Sequence, residues 1–267
     1  MAPEELDGFL NYAPRLNSDQ GGYKAKFYDE YAHLEETHFW FSVRCRLIVW
    51  AFGRYGSNQS SFFEIGCGTG FVLKALNQAF PKLQLKGSEM LTSGLQYASK
   101  RLSAATFIQM DARNIPYVDE FEAIGAFDVL EHIEEDVVVL QQACEALKRD
   151  GVLFVTVPQH NWLWSSVDDY SCHVRRYSAK ELHQKIESTG FKILRSTSFV
   201  SLLIPVMTLS RATKRHPDNP IDPLAELQIS PFMNCLLCML MSVEAWLIRL
   251  GVSFPIGGSR LVVAQKR

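Results

Sequence analysis

Several things are scarce in this 267-residue chain, and each scarcity excludes something. Neither sign of charge is in surplus: 27 Lys and Arg face 29 Asp and Glu, a formal net charge of -2. That balance gives no global field for a nucleic-acid partner. Six cysteines are scattered along the chain, mostly in apolar surroundings, so they read as reduced thiols and not as a disulfide framework. Cys235 and Cys238 lie one turn apart in an apolar helical run, and with no second pair nearby they read as a core helix face, not a zinc or redox site. The acidic start of the chain lacks the apolar segment of a signal peptide, and the expected location is cytoplasmic. Internal repeats and low-complexity tracts are absent. What remains, with 47% hydrophobic residues, is the composition of an ordinary globular protein of one decorated α/β domain or at most two domains.

The most informative segment is Phe62-Phe63-Glu64-Ile65-Gly66-Cys67-Gly68-Thr69-Gly70, followed by the helical apolar pattern of Phe71, Val72, Leu73, Ala75 and Leu76. A buried strand, a glycine turn and a helix start make a socket for a nucleotide-like ligand, because glycine lets the backbone turn sharply and lets a ligand touch it. Dinucleotide sites read G-x-G-x-x-G and grip a pyrophosphate at the helix N-terminus. Here the spacing is G-x-G-x-G with an acid two residues earlier, which suits a cationic ligand better.

Further strands are expected at 83–87, 106–109, 122–127 and 152–157, with helices between them, and two more at 191–198 and 259–265. The alternation predicts an open parallel sheet covered on both faces. A helix is expected to run from the residues after Phe127 to about 148. Ser178-Ala179-Lys180-Glu181 has the form of a capping box. Residues 1–22 are polar and read as a loose arm. Roughly sixty residues separate the last two strands, far more than a hairpin connection needs.

The glycine segment resembles motif I of the class I S-adenosylmethionine-dependent methyltransferases. The stretch Ala126-Phe127-Asp128-Val129-Leu130-Glu131-His132-Ile133 resembles the V-L-E-H motif of the ubiquinone-biosynthesis O-methyltransferases and their relatives. The resemblance covers about residues 23–198. It implies a Rossmann-like open seven-stranded sheet, mostly parallel with an antiparallel last strand and helices on both faces; the residues before that strand depart from the family's hairpin and are expected to form a helical insertion. The expected organisation is an N-terminal arm and helical lid (1–55), an S-adenosylmethionine-binding domain (56–198 and 257–267) and the insertion (199–256).

The resemblance also implies roles. Gly66, Gly68 and Gly70 would pass under the methionine part of S-adenosylmethionine, and Glu64 would orient that turn or the amino group. Glu89 would take the ribose hydroxyls, Met90 would pack on adenine, Asp111 would accept from the adenine amino group, and Ala112 would offer its N–H. Phe127 would flank the sulfonium. Arg44 suits the cofactor carboxylate, with Arg46 as its competitor. Asp128, Glu131 and His132 follow an acid-x-x-Glu-His pattern that is read as a magnesium site in some relatives. The favoured reading is that they begin a helix and favour its dipole, with no metal, since magnesium prefers oxygen ligands.

The acceptor is expected to be a small molecule or lipid-like, methylated at oxygen by direct displacement. His160, then His173, are the candidate bases, and Trp40, Trp164, Asp168, Arg176 and Tyr177 the candidate acceptor contacts. Trp162, Trp164 and Tyr177 also suit the edge of a core, with His173 and Arg176 bracing the loop. The apolar runs 199–209 and 232–250, separated by Arg211, Lys214, Arg215 and His216, fit a pocket cap, a monotopic membrane contact through 199–250 or a dimer interface. A non-catalytic S-adenosylmethionine-binding partner or sensor is the alternative from another class, and a nicotinamide oxidoreductase a third reading.

Overall fold

The computed structural model describes residues 3–16, 26–213 and 229–267. Five parallel strands form the centre: β3 (Ser61–Ile65), β4 (Gln84–Glu89), β5 (Thr106–Gln109), β6 (Phe121–Phe127) and β7 (Leu147–Pro158). On the far edge β9 (Ser259–Lys266) pairs antiparallel with both β7 and β8 (Phe191–Phe199). On the opposite edge the chain adds a short hairpin, β1 (Glu4–Leu6) and β2 (Phe9–Asn11), with β2 parallel to β5. The order is β1-β2-β5-β4-β3-β6-β7-β9-β8.

The sheet therefore has nine strands where seven are expected, and part of the expected loose arm is strand. The reason is non-local. Leu10 and Asn11 find open backbone partners at Ile108 and Gln109, and the Gln109 side chain bonds the N–H and C=O of Ala13. Three-residue strands carry no periodicity of their own.

Alternation along the strands builds two cores. Phe62 points to one face, with Phe52, Leu73, Phe127 and Phe154. Phe63 points to the other, with Ile124, Val155, Leu182 and Ile186. Each such large side chain removed from water contributes about 1.5–3 kcal/mol. The first face is covered by α2 (Phe39–Tyr55), α3 (Phe71–Ala79), α4 (Thr92–Arg101) and part of α9 (Pro231–Arg249). The second is covered by α5 (Asp136–Ala146) and α7 (Ala179–Ser188), where Ser178 caps by accepting from the Glu181 N–H.

The helix expected directly after Phe127 is not continuous. Leu130–His132 form one 3-10 turn, and α5 begins only at Asp136. Glu131 is fully buried, so Asp128, Glu131 and His132 are not a solvated helix start. Two further helices complete the frame: α1 (Lys26–Thr37) ahead of α2, and a five-residue α6 (Ser166–Tyr170) within the loop after β7. The insertion forms α8 (Ile204–Thr213) and α9. Lys214, Arg215 and His216 lie outside the described residues.

Candidate active site

The strand order reverses between β3 and β6, and the crevice beyond the carboxyl ends of those strands is where an open α/β sheet takes its ligand. A cavity of about 1070 Å³ lies there. Arg44, Glu64, Gly66, Gly68, Glu89, Met90, Asp111, Ala112 and Phe127 line it, as do Trp40, Asp168, His173 and Arg176. Gly70, His160, Trp164 and Tyr177 are not among its lining residues.

The turn from β3 to α3 holds all three glycines at positive φ. Gly68 has open space where a Cβ would stand, so its bare backbone faces room for a ligand. At Gly70 a Cβ would meet the Cα and Cβ of Ala98 at 3.0 Å. Gly70 therefore serves the close approach of α3 and α4.

Glu89, at the end of β4, receives the Gly68 N–H at 2.9 Å and the Met90 N–H at 2.8 Å, one on each carboxylate oxygen. Burial raises its pKa while those two N–H groups oppose the shift. Asp111, after β5, is gripped by the guanidinium of Arg113 (Nε to Oδ1 3.0 Å, Nη2 to Oδ2 2.8 Å). Arg113, which also lines the cavity, is a residue the sequence reading missed; its place two positions after Asp111 is the local signal.

Glu64 is 2% exposed, and its Oε2 has no hydrogen-bond partner. Burial pushes its carboxyl well above the usual range; Arg44 opposes this, while Glu35 and Glu89 add to it. Buried polar groups are almost always paired, so an unpaired carboxylate oxygen on a cavity wall marks a place for a cationic or hydrogen-bond-donating ligand. Arg44 is spent on the chain itself: it pairs with Asp128, donates to the Phe127 carbonyl at 3.0 Å and lies over the Trp40 ring. Its expected competitor, Arg46, faces away and donates to Ser242.

A second missed group closes the glycine turn. Arg101 of α4 pairs with Glu35 of α1 at 2.6 Å, and Thr69 bonds both. This ties α1 across the turn. His38, the N-cap of α2, accepts from the Trp40 N–H, and burial lowers its pKa to about 4, so it is neutral at pH 7.

On the acceptor side, Asp168 is completely buried. It accepts a bidentate pair from Arg176 (2.7 and 2.9 Å), the Ser165 N–H (2.8 Å), and faces His173 Nδ1 at 2.8 Å. Burial acts to raise its pKa, but His173 and Arg176 prevail and hold it at about 2. With Nδ1 committed to Asp168, the ring of His173 packs edge-on to that of His132. Donor atoms of Glu131, His132 and His173 lie within 4.8 Å of one another. Burial, then the nearby His173, lowers His132 to about 3, while burial raises Glu131 well above the usual range. A carboxylate with two imidazoles is a donor set suited to a transition metal more than to magnesium.

The other residues expected at the acceptor site are elsewhere. His160 stacks on Trp162, outside the cavity lining. The Trp164 indole donates to Asp169. Tyr177 is buried, with its hydroxyl donating to Asp136 at 2.6 Å and lying 3.1 Å from the Leu130 carbonyl.

Residues 63–155 match a family described as a methyltransferase domain. The chain is similar to demethylmenaquinone methyltransferase of Thermotoga maritima, 31% identical over 99 residues, which are 37% of this chain and 43% of that one. It is also similar to the biotin biosynthesis bifunctional protein BioHC of Teredinibacter turnerae, 24% identical over 215 residues, 71% of this chain and 37% of that one. The chain thus spans less than half the length of these curated relatives. Among solved structures, phosphoethanolamine N-methyltransferase 2 of Haemonchus contortus, in complex with S-adenosyl-L-methionine, has the same fold: TM-score 0.60, 16% identity, covering 93% of this chain and 58% of that one.

Proposed function

We propose that the protein transfers a methyl group from S-adenosylmethionine to an oxygen of a small-molecule or lipid-like acceptor, a reading supported by the match of residues 63–155 to a methyltransferase domain and by the likeness to a curated methyltransferase. The observation that carries this reading is Glu64: a buried carboxylate with an unpaired oxygen, on the wall of the cavity that the glycine turn opens. A ligand with an ammonium and a sulfonium group matches that need, and a pyrophosphate does not.

S-adenosylmethionine, when bound, supplies an electrophilic methyl group. Gly68 gives its amino-acid portion a bare backbone to lie on, Gly66 makes the turn at positive φ against Val129, and Glu64 pairs with the ammonium. Glu89 is already held in place by the Gly68 and Met90 N–H groups, and its carboxylate takes the ribose hydroxyls. Met90, Asp111 and Ala112 serve the adenine. Arg44 and Phe127 shape the wall next to the reacting end. Gly70 acts through packing against Ala98.

His173 is the base in this reading. Asp168 holds its Nδ1, so Nε2 is the nitrogen left to take a proton from an acceptor hydroxyl as the oxygen attacks, while Arg176 keeps Asp168 ionised. Asp168 and Arg176 are positioning residues. The aliphatic side chains of Leu203, Val206, Met207 and Leu237 at the cavity support an apolar acceptor. A second reading rests on the clustered donors of Glu131, His132 and His173, which would hold a divalent cation there in place of a free base.

Calorimetry with S-adenosylmethionine and S-adenosylhomocysteine tests the cofactor, with micromolar binding of both expected. Binding of neither sinks the reading. A methyl-labelled acceptor panel run with and without a chelator separates the base from the metal: turnover that survives chelation supports His173 as base.

A further inference from the structure

The helix α9 is amphipathic in the wrong sense for a water-facing element. Its polar residues point into the protein. Asn234 accepts from the Phe39 N–H and donates to the Thr37 carbonyl. Ser242 receives Arg46. Glu244, fully buried, accepts the N–H groups of Ser201 and Leu202, both at 2.8 Å. The opposite face carries Phe232, Leu236, Met239, Val243, Trp246 and Leu250, all between 45% and 78% exposed. From Pro231 to Ile248 the one charged residue is the buried Glu244, so this outer stripe bears no charge at all. Contiguous apolar surface of this extent marks an interaction site.

Two neighbours of the stripe say what covers it. Along one flank, between α2, α3 and the end of α9, runs a groove of about 780 Å³ lined by Arg46, Arg54 and Arg249 together with Trp50 and Phe80, and by no carboxylate. None of the three arginines is ion-paired among the described residues. The helix α8 adds Val206 and Leu209, both more than 60% exposed. Val206 and Met207 of α8 and Leu237 of α9 also line the main cavity, so the outer apolar surface continues into the site.

We propose that this face is a monotopic docking surface for an anionic phospholipid bilayer. The α9 stripe would sink into the acyl boundary, the arginine groove would hold lipid phosphates, and the cavity mouth between α8 and α9 would open onto the membrane. A helix that lies in the interface plane pairs an apolar face with basic flanks in this way. A span is excluded by the inward anchors: Asn234, Ser242 and Glu244 fix α9 along the protein surface. Pairing with a second copy would use the regular four-three spacing of the stripe. It would leave the arginine groove and the exposed face of α8 without a role, whereas an anionic bilayer engages all three. Delivery of a lipid-soluble acceptor through the mouth rests on the methyl-transfer reading; the docking itself does not.

The test is cosedimentation of the full chain with phosphatidylcholine vesicles, with and without phosphatidylglycerol. Binding is expected to phosphatidylglycerol vesicles and to weaken with salt. Leu236→Glu with Val243→Glu is expected to lower partitioning about tenfold or more, with circular dichroism and S-adenosylmethionine binding in solution unchanged. Arg54→Glu with Arg249→Glu is expected to abolish the preference for anionic vesicles and to leave the weaker binding to neutral ones. Wild-type protein that stays in solution with both vesicle types overturns the proposal, as does partitioning indifferent to the Leu236/Val243 pair. A stable dimer in light scattering that dissociates with Leu236→Glu and ignores vesicles assigns the face to a second copy. If calorimetry finds no S-adenosylmethionine binding while vesicle binding holds, the methyl-transfer reading fails and the docking surface stands.

Discussion

Asp168 Oδ1 lies 2.8 Å from Nδ1 of His173, inside a cavity wall where Asp168 itself is wholly buried and doubly bonded by Arg176. A carboxylate so placed fixes both the orientation and the tautomer of the imidazole. Replacing His173 by Ala is expected to lower kcat about 100-fold or more while S-adenosylmethionine affinity stays within twofold of wild type (about 0.4 kcal/mol). Single-turnover kinetics with a found acceptor would show it, and an unchanged kcat would remove His173 from the chemistry.

The same pair makes stability depend on acid. The Asp168 carboxyl is held at about 2, below its ordinary 3.8, so its stabilising contribution is fully present above that ordinary value and is lost as pH falls toward 2. The loss amounts to about 2 kcal/mol. Asp168→Asn is expected to be less stable at pH 7 and to show a shallower decline between pH 4 and 2 (roughly the window set by the two states). Urea unfolding at a series of pH values measures it; parallel curves for both proteins would contradict the assignment.

Proton linkage is expected at Glu64. Burial raises its pKa in the free protein, and a cationic ligand beside it lowers that value again. Binding should then release a proton, and affinity should rise with pH until Glu64 ionises unaided, after which it levels off. Calorimetry in buffers of different ionisation enthalpy reads the proton directly. Glu64→Gln is expected to abolish the release and weaken binding by about 1.5–3 kcal/mol; a buffer-independent enthalpy in the wild type would count against the pairing.

Glu89→Ala removes the acceptor for two backbone N–H groups and the proposed ribose contact together. Affinity for S-adenosylhomocysteine is expected to fall by about 2 kcal/mol or more, that is at least about 30-fold. Full-strength binding by this variant would exclude the ribose assignment.

The glycines of the turn separate packing from binding. Gly70→Ala would press a methyl against the backbone of Ala98 at positive φ, so unfolding free energy should fall by about 2 kcal/mol or more. Gly68→Ala meets no atom within 4 Å, and its stability cost is expected to be about 1 kcal/mol from φ alone. Its effect should instead appear as weakened S-adenosylmethionine binding. Chemical denaturation alongside calorimetry distinguishes the two, and equal stability losses would refute the division.

The β3 turn and the central strands were legible because their information is local: an apolar run, alternating glycines, then a helical period. Glu64, Glu89, Met90, Asp111 and Ala112 could be named because each lies at or within three residues of the carboxyl end of a strand. The Glu35–Thr69–Arg101 tie was not legible, since its members are brought together from α1, the turn and α4. The order His160 before His173, read from the sequence, had no local basis either. Both sit in one polar, aromatic loop, and the difference lies in Asp168, whose side chain caps α6 and faces His173 while His160 stacks on Trp162.

From sequence alone came the α/β alternation, the glycine socket and the acids at successive strand ends, because strand period, turn chemistry and motif spacing act over a few residues. Tertiary structure decided the rest. It added the hairpin at Glu4–Asn11 through unpaired edge backbone of β5 and committed Arg44 to Asp128. It also turned the polar side of α9 inward, because backbone N–H and C=O groups of other segments claimed Asn234 and Glu244. Such choices depend on which groups from distant parts of the chain compete for the same partner, and no local pattern records that competition.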